Sequence, residues 1–221
     1  MTRAALLQHL ASTVLSINLK HPVRVGIDGA DASGKTFLAN ELAEELKPSG
    51  RPIIRVSIDG FHNPKEIRYQ KGRNSPNGYY YDSFDIAAII DNLLKPLGPN
   101  GNLHYKPAIF DFKTDSVVNA ETKLARPNTI LIMEGVFLFR PKLVDYWDLK
   151  LFVDVGFDTT LRRALKRDGY YLGAESEIAY KYQERYIPGQ ELYFQEAHPQ
   201  DAADIVIDNT DFENPKLQEN R

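Results

Sequence analysis

Short runs of β-branched and aliphatic residues alternate with stretches of helical periodicity along the chain. The runs are apolar almost throughout, as expected for strands buried on both faces of a parallel sheet. We therefore predict an α/β fold, an open doubly wound parallel sheet of about five strands with helices on both faces. The predicted strands span residues 22–28, 52–58, 128–135, 149–155 and 203–209, and the predicted helices span residues 36–47, 85–94, 159–167 and 175–186.

The N-terminal stretch favours an amphipathic helix. Leu6, Leu10, Val14 and Ile17 recur at helical spacing. Polar residues interrupt each apolar run, and none approaches the length needed to cross a bilayer. We therefore expect a cytoplasmic protein with no membrane partner.

The composition is that of one globular domain, residues 1–221. A formal net charge of −3 provides no overall attraction for nucleic acid, so none is expected as a partner. The absence of cysteine excludes disulfides and thiolate metal sites. Residues 61–85 and 95–127 resist assignment, although the second stretch is compatible with a small β-hairpin.

A phosphate-binding loop lies between the first predicted strand and the next helix. Residues 29–36, GADASGKT, match G-x-x-x-x-G-K-[ST] at every fixed position. The glycines let successive N–H groups face a phosphate, and the helix N-terminus adds positive charge. Lys35 is expected to reach the β- and γ-phosphates, and Thr36 to bind Mg²⁺, so ATP and Mg²⁺ are the expected cofactors. The predicted nucleotide contacts are Gly29, Ala30, Asp31, Ala32, Ser33, Gly34, Lys35 and Thr36.

Three reactions use such a loop: hydrolysis by an ATPase, hydrolysis by a GTPase switch, and transfer to a small acceptor. A guanine-specific N-K-x-D element is absent from the sequence. The third predicted strand ends in Glu-Gly, without the consecutive Asp-Glu pair of many hydrolytic ATPases. Both absences favour a kinase, while the choice between ATP and GTP stays open.

Acidic residues end several predicted strands, at the edge where a doubly wound sheet carries its functional groups. Asp59 is the best candidate for the general base, since phosphoryl transfer depends on an oriented nucleophile and on charge stabilisation. Glu134 is predicted to bind Mg²⁺, with Asp59 as a further metal candidate. The alternative role for both carboxylates is capping of the turn that follows. Asp28 is interpreted as a structural residue.

Four segments resemble the uridine kinase and phosphoribulokinase-like branch of P-loop kinases. They are GIDGADASGKT, VSIDGFHNP, LIMEGVFLFRPKLVDYWDLKLFVDVGFDTTLRRALKRD and ADIVIDN, and together they extend over residues 22–209. The resemblance implies a P-loop kinase fold and an ATP-dependent phosphotransferase that acts on a hydroxyl of a small molecule, with a nucleoside favoured. It also implies that Asp59 is the general base, that Glu134 and Thr36 help hold Mg²⁺, and that a homo-oligomer is compatible with the family.

A lid in residues 159–190 is a further implication of the resemblance. Arg163 and Arg167 lie on its predicted first helix. Guanidinium groups suit phosphate oxygens, although charged residues on a helix are more often simply solvated. With the resemblance, we predict that both arginines close over the phosphates and take part in catalysis with Lys35.

The acceptor segment differs from the family pattern. Tyr79 takes the position of an Asp, Phe110 that of a Tyr, and Asp115 that of a His. Tyrosine rings suit a planar base, and basic side chains suit a carboxylate or phosphate, but packing against the domain is an equal alternative. A sugar phosphate or a pantothenate-like acceptor, or a non-catalytic nucleotide-binding regulator, therefore remains an alternative function. The acceptor-binding candidates are His62, Arg68, Tyr79, Tyr81, Asp82, Phe110 and Arg185.

Overall fold

A computed structural model describes residues 1–168 and 175–220 of the chain. The apolar runs form the strands of one central sheet, and shorter strands lie between residues 104 and 124. The strands are β1 (Val23–Gly29), β2 (Ile53–Ser57), β3 (His104–Tyr105), β4 (Phe110–Asp111), β5 (Ser116–Val117), β6 (Lys123–Leu124), β7 (Ile130–Glu134), β8 (Leu149–Asp154), β9 (Ile205–Asp208) and β10 (Lys216–Glu219).

The central sheet has the strand order β10-β9-β8-β1-β7-β2. Its strands are parallel except for the edge pair, in which β10 runs antiparallel to β9. This confirms the doubly wound α/β prediction. The sixth strand, β10, was not predicted because its sequence KLQE has no apolar run. In the structure, Lys216, Gln218 and Glu219 are all exposed.

Helices cover both faces of the sheet. They are α1 (Arg3–Ser16), α2 (Lys35–Leu46), α3 (Lys65–Arg68), α4 (Pro76–Asp82), α5 (Ile86–Ile89), α6 (Phe157–Asp168), α7 (Glu175–Lys181), α8 (Ile187–Ala197) and α9 (Pro199–Ala202). Two predicted helices continue from an α-helix into a π-helical turn, at Ile90–Leu94 and at Tyr182–Tyr186. Residues 169–174 of the predicted lid lie outside the described residues.

Each face of the sheet packs against its own hydrophobic cluster. On one face, α1 and α2 bury Leu10 and Leu42 against β1 residues such as Val25. On the other face, Leu131 and Met133 of β7 lie in a cluster that includes Tyr193 of α8. Alternate residues of β7 thus serve opposite cores, as the period of a strand requires. Full burial of each such side chain stabilises the fold by about 1.5–3 kcal/mol.

The segment between α5 and β7 forms two small antiparallel ladders instead of the single hairpin expected in residues 95–127. Strand β3 pairs with β6, and β4 pairs with β5 inside it. The inner ladder carries Phe110, which is buried, beside the exposed Val117. Strand β4 therefore packs against the domain, whereas both residues of β5 are exposed.

Within residues 1–168 and 175–220, each helix is too short or too polar to cross a membrane.

Replacing Leu10 by Ala is expected to lower the free energy of unfolding by about 2–5 kcal/mol, because the side chain is completely buried and its removal leaves a cavity beside α2. Urea and thermal unfolding measure the loss. Leu15→Ala on the same helix is the matched control, since Leu15 is 41% exposed, and should change the value by less than about 0.5 kcal/mol. Equal effects of the two substitutions would contradict the packing of α1 described above.

Candidate active site

A cleft of about 1140 Å³ opens at the carboxyl ends of β1, β2 and β7. It is bounded by the phosphate-binding loop, the turn after β2, and side chains of α4, α6 and the π-helical turn Tyr182–Tyr186. The position is the one that an open α/β sheet uses for ligands. The predicted site residues that line the cleft are Asp31, Ala32, Gly34, Lys35, Thr36, Asp59, His62, Tyr79, Glu134, Arg163 and Arg167.

The phosphate-binding loop has the backbone conformation that its glycines predict. Gly34 lies at φ +102°, in the left-handed region, and forms the N-cap of α2. A Cβ atom at this position would lie 2.7 Å from Nδ2 of Asn209, so a side chain is excluded on steric grounds as well. Asn209 donates from the same atom to the carbonyl of Ser33 at 2.8 Å. The loop is therefore held from outside by the residue that follows β9.

Lys35 is turned back into the loop. Its Nζ donates to the carbonyl oxygen of Ala30 at 2.6 Å, and the residue is buried. An ammonium group in this position lies beside the N–H groups that would surround a phosphate. The contact of Lys35 with the β- and γ-phosphates stays a prediction, and it requires Lys35 to rotate away from Ala30.

Two carboxylates, those of Glu134 and Asp59, line the same cleft as the phosphate-binding loop. Glu134 is the last residue of β7 and lies in register with Ile27 of β1 and Ser57 of β2. Strand β7 therefore lies between β1, which leads into the phosphate-binding loop, and β2, which leads to Asp59. Glu134 is buried, whereas the Asp59 side chain is 55% exposed to the cleft. The next residue, Gly135, is required because a Cβ there would lie 2.3 Å from Ile58.

The pKa of Asp59 is raised to about 6 from its ordinary value of 3.8. Withdrawal from bulk solvent between the cleft walls is the main cause, and the negative charges of Glu134 and Asp31 add to it. Lys35 and Arg167 oppose the shift but do not cancel it. A carboxylate tuned toward neutrality is a stronger base than an ordinary aspartate, which suits deprotonation of a hydroxyl.

Mg²⁺ fits the groups in this part of the cleft. Thr36 supplies a hydroxyl, and Glu134 and Asp59 supply carboxylates, all on the cleft lining. Across the described residues, no three His, Cys, Asp or Glu side chains converge to hold a metal ion by themselves. This donor set matches the usual mode of Mg²⁺, which takes one or two carboxylates and completes its shell with phosphate and water oxygens.

Asp31 connects the phosphate-binding loop to the lid side of the cleft. Its carboxylate accepts a short hydrogen bond from the Tyr182 hydroxyl and forms an ion pair with Arg167 at 3.5 Å. Burial alone would raise the pKa of Asp31, but the positive charges of Arg167 and Lys35 and the Tyr182 hydrogen bond outweigh it and hold the pKa below its ordinary value. Arg167 thus lines the cleft and is ion-paired with the Asp31 carboxylate of the loop.

Arg163 contacts backbone carbonyls. Its guanidinium donates to the carbonyl oxygens of Ser33 at 3.2 Å, Asn209 at 2.8 Å and Thr210 at 3.1 Å. It therefore braces the loop against the segment after β9 while one edge lines the cleft. These three bonds use three of the five N–H donors of the guanidinium, and the predicted contact of Arg163 with phosphate stays a prediction.

Aromatic side chains bound the end of the cleft near Asp59. The ring of His62 lies 4.5 Å from that of Phe84 and 4.9 Å from that of Phe112, measured between centroids. Burial lowers the pKa of His62 to about 4, so the ring is neutral at physiological pH. Tyr79 completes this wall, its ring 4.9 Å from that of Tyr186.

The other five acceptor candidates lie away from the cleft lining. Tyr81 donates to Glu196, and Asp82 pairs with Lys71. Phe110 is buried under the small ladder. Arg68 and Arg185 are both buried next to the cleft wall, where Arg68 pairs with Asp115. Sequence reasoning did not single out the cleft residues Phe84, Phe112, Tyr182, Tyr186 and Asn209, although Asn209 ends the segment ADIVIDN.

Asp28 is structural in position, as interpreted. It is fully buried, and burial raises the pKa of its carboxyl. The carboxylate accepts from the backbone N–H of Gly29 at 2.6 Å and of Phe139 at 3.0 Å, and from the Tyr193 hydroxyl. It therefore joins the start of the loop to two distant parts of the chain.

Comparisons with known proteins find a matching family model, similar sequences and a similar fold. A family model described as the Phosphoribulokinase / Uridine kinase family matches residues 24–213. The chain is 28% identical over 190 residues to uridine-cytidine kinase B of Dictyostelium discoideum, covering 85% of this chain and 75% of the relative. It is 32% identical over 154 residues to the uridine kinase of Lactobacillus helveticus, covering 68% and 69%. A solved structure of a possible uridine kinase from Bacillus stearothermophilus shares the fold, with a TM-score of 0.74, 23% identity, and coverage of 93% and 98%.

The Asp59 carboxyl of the ligand-free protein is expected to titrate near pH 6. Its ionised form, the one able to accept a proton, is then lost as the pH falls through about 6 instead of near 3.8. Carbon-13 NMR titration of the aspartate carboxyls measures this pKa. Glu134→Gln should lower it, because a repelling negative charge is removed, and Glu45→Gln on the exposed side of α2 should leave it unchanged. An Asp59 pKa near 4 in the native protein would contradict the electrostatics described here.

Arg163→Ala is expected to lower the free energy of unfolding by about 1–3 kcal/mol, because the substitution removes three hydrogen bonds to backbone carbonyls, those of Ser33 in the loop and of Asn209 and Thr210 after β9. Chemical denaturation measures the change. Arg162→Ala is the matched control, since its guanidinium is exposed and bonds only to Thr159 of the same helix among the contacts described, and its effect should stay within about 0.5 kcal/mol. A negligible effect of Arg163→Ala would rule out the bracing role.

Proposed function

Since this chain belongs to the Phosphoribulokinase / Uridine kinase family, we propose that it transfers the γ-phosphate of ATP to a hydroxyl of a nucleoside. The observation that carries the proposal is the cleft itself. Lys35 and Thr36 of the phosphate-binding loop line it together with Asp59 and Glu134. A hydroxyl bound at Asp59 would therefore share the cleft with the phosphates that the loop would hold.

Each residue of the cleft has its own role in the reaction. Asp59 orients the acceptor hydroxyl and takes its proton as the oxygen attacks the γ-phosphorus in line. Lys35 leaves Ala30 to bind phosphate oxygens, and Arg167 adds a guanidinium from the lid side. Thr36 and Glu134 would hold Mg²⁺, which supplies charge neutralisation on the phosphates when bound. These groups thus stabilise the negative charge that develops on the transferred phosphoryl group, which is the main requirement of phosphoryl transfer.

A nucleoside suits the end of the cleft beyond Asp59. Phe84, Phe112 and Tyr79 offer apolar ring surface there, and the neutral His62 ring adds one hydrogen-bonding nitrogen, Nε2, since its Nδ1 donates to the Asp59 carbonyl. A planar, uncharged base matches this lining. The names of both curated relatives, a uridine-cytidine kinase and a uridine kinase, support the same acceptor class.

Several finer features remain predictions. ATP in preference to GTP, a cytoplasmic location, a homo-oligomeric state and the lack of a nucleic-acid partner all rest on the sequence and the family. The alternative of a nucleotide-binding regulator makes a different experimental prediction, because a regulator needs no base at Asp59.

Asp59→Asn is expected to reduce kcat for phosphate transfer to uridine or cytidine by about 100-fold or more, because the amide cannot accept the acceptor proton. Nucleotide affinity should be retained, since Asp59 belongs to the turn after β2 and not to the phosphate-binding loop. Acceptor-dependent ADP release from Mg-ATP measures transfer, and fluorescent-nucleotide binding measures affinity.

Asp154→Asn is the matched control for that experiment. Asp154 also ends a strand of the sheet but does not line the cleft, so its substitution should leave transfer near the native rate. Lys35→Ala should weaken both nucleotide binding and transfer. Tight ATP binding with no transfer to any of a panel of nucleosides, sugar phosphates and pantothenate would count against the kinase proposal and favour the regulator.

A further inference from the structure

Three guanidinium groups surround the ring of Tyr69 on the far side of the cleft wall. The Cζ atoms of Arg185, Arg68 and Arg73 lie 5.0, 5.4 and 5.9 Å from the centre of that ring. Arg68 belongs to α3, Arg73 to the loop before α4, and Arg185 to the π-helical turn Tyr182–Tyr186. Two neighbouring segments and one distant in sequence thus bring like charges together, an arrangement that costs electrostatic free energy unless anions offset it.

The counter-charge at this cluster is incomplete. Arg68 pairs with Asp115 at 2.8 Å, and this is the one carboxylate in ion-pair contact with the three arginines among the described residues. Arg185 donates to the backbone carbonyls of Arg73 at 2.8 Å and Ser75 at 3.3 Å. Carbonyl oxygens satisfy donors but carry no net charge, so the cluster keeps an excess of positive charge.

One donor of the cluster is buried without a partner. The Arg68 residue is 7% exposed, and its Nε makes no hydrogen bond although the atom is shielded from solvent. Leaving a buried charged donor unpaired costs more than leaving a neutral one. Arg185 is similarly buried at 5% exposure, while Arg73 is exposed. The cluster therefore has a buried base and a rim that opens to solvent at Arg73.

We infer that Arg68, Arg73 and Arg185 form a binding site for a phosphate or carboxylate group. Guanidinium groups bind both anions through paired N–H donors, and an oxyanion would supply the missing acceptors and counter-charge. The site is separate from the phosphate-binding loop. It lies behind the acceptor end of the cleft, since the Arg185 guanidinium also lies 5.6 Å from the ring of the cleft residue Tyr79.

Phosphorus-31 NMR titration with inorganic phosphate tests the site directly and needs no phosphotransfer activity. The full-length protein is first saturated with ADP, so that the phosphate-binding loop is filled. Native protein should still bind phosphate, and Arg73→Gln should weaken this binding about tenfold or more, because a charged donor at the open rim is lost. Arg126→Gln makes the same charge change at an exposed position elsewhere and should have little effect.

Arg185→Lys provides a second variant that retains the charge but loses the paired donors. It should also weaken phosphate binding, with circular dichroism confirming that the buried substitution leaves the fold intact. Competition between phosphate and the acceptor would assign the anion to the acceptor molecule, and simultaneous binding would assign it to a separate small molecule. Either outcome supports the site. Phosphate binding that ADP abolishes, or that Arg73→Gln and Arg126→Gln affect equally, would overturn it.

Discussion

A single buried carboxylate, that of Asp28, connects the parts of the chain that build the cleft. It accepts hydrogen bonds from the Gly29 N–H, from the Phe139 N–H beyond β7, and from the Tyr193 hydroxyl of α8. A carboxylate can be buried only where donors replace its water, so the three partners must stay in place together. The beginning of the phosphate-binding loop is therefore fixed to both the sheet and α8.

The lid side of the cleft depends on the same connection. Helix α8, held by Tyr193, also presents Gln190, whose Oε1 accepts from the Asp31 N–H at 2.6 Å. Gln190 in turn donates to the Tyr186 carbonyl at 2.8 Å, at the end of the π-helical turn. Tyr182 of that turn bonds the Asp31 carboxylate. Polar contacts thus join the phosphate-binding loop to the lid side of the cleft, and helix α8, which packs in the core, sets their geometry. The cleft therefore has a defined shape before any ligand binds.

The sequence was informative where the signal is local. The phosphate-binding loop, and the carboxylates of Asp59 and Glu134 at strand ends, could be placed because a parallel sheet puts such ends on one edge. Tyr182 and Asn209 could not, since their contacts with Asp31 and Ser33 join residues far apart in the chain. Arg163 illustrates a second limit of prediction from sequence. A guanidinium donates to carbonyl and phosphate oxygens alike, and the sequence does not show which oxygens surround it.

The position of β1 at the centre of the sheet has a consequence for how the chain folds. Val23 of β1 pairs with Ile130 of β7, and Val25 pairs with Leu149 of β8, so both neighbours of this early strand are synthesised much later. Closing such long loops costs chain entropy before any pairing repays it, which makes sheets of this topology slow to form. During synthesis β1 therefore has no partner on either edge until β7 has been made, and it lacks its second neighbour until residue 154, whereas α1 and α2 are available earlier to cover the face of β1 against which they pack.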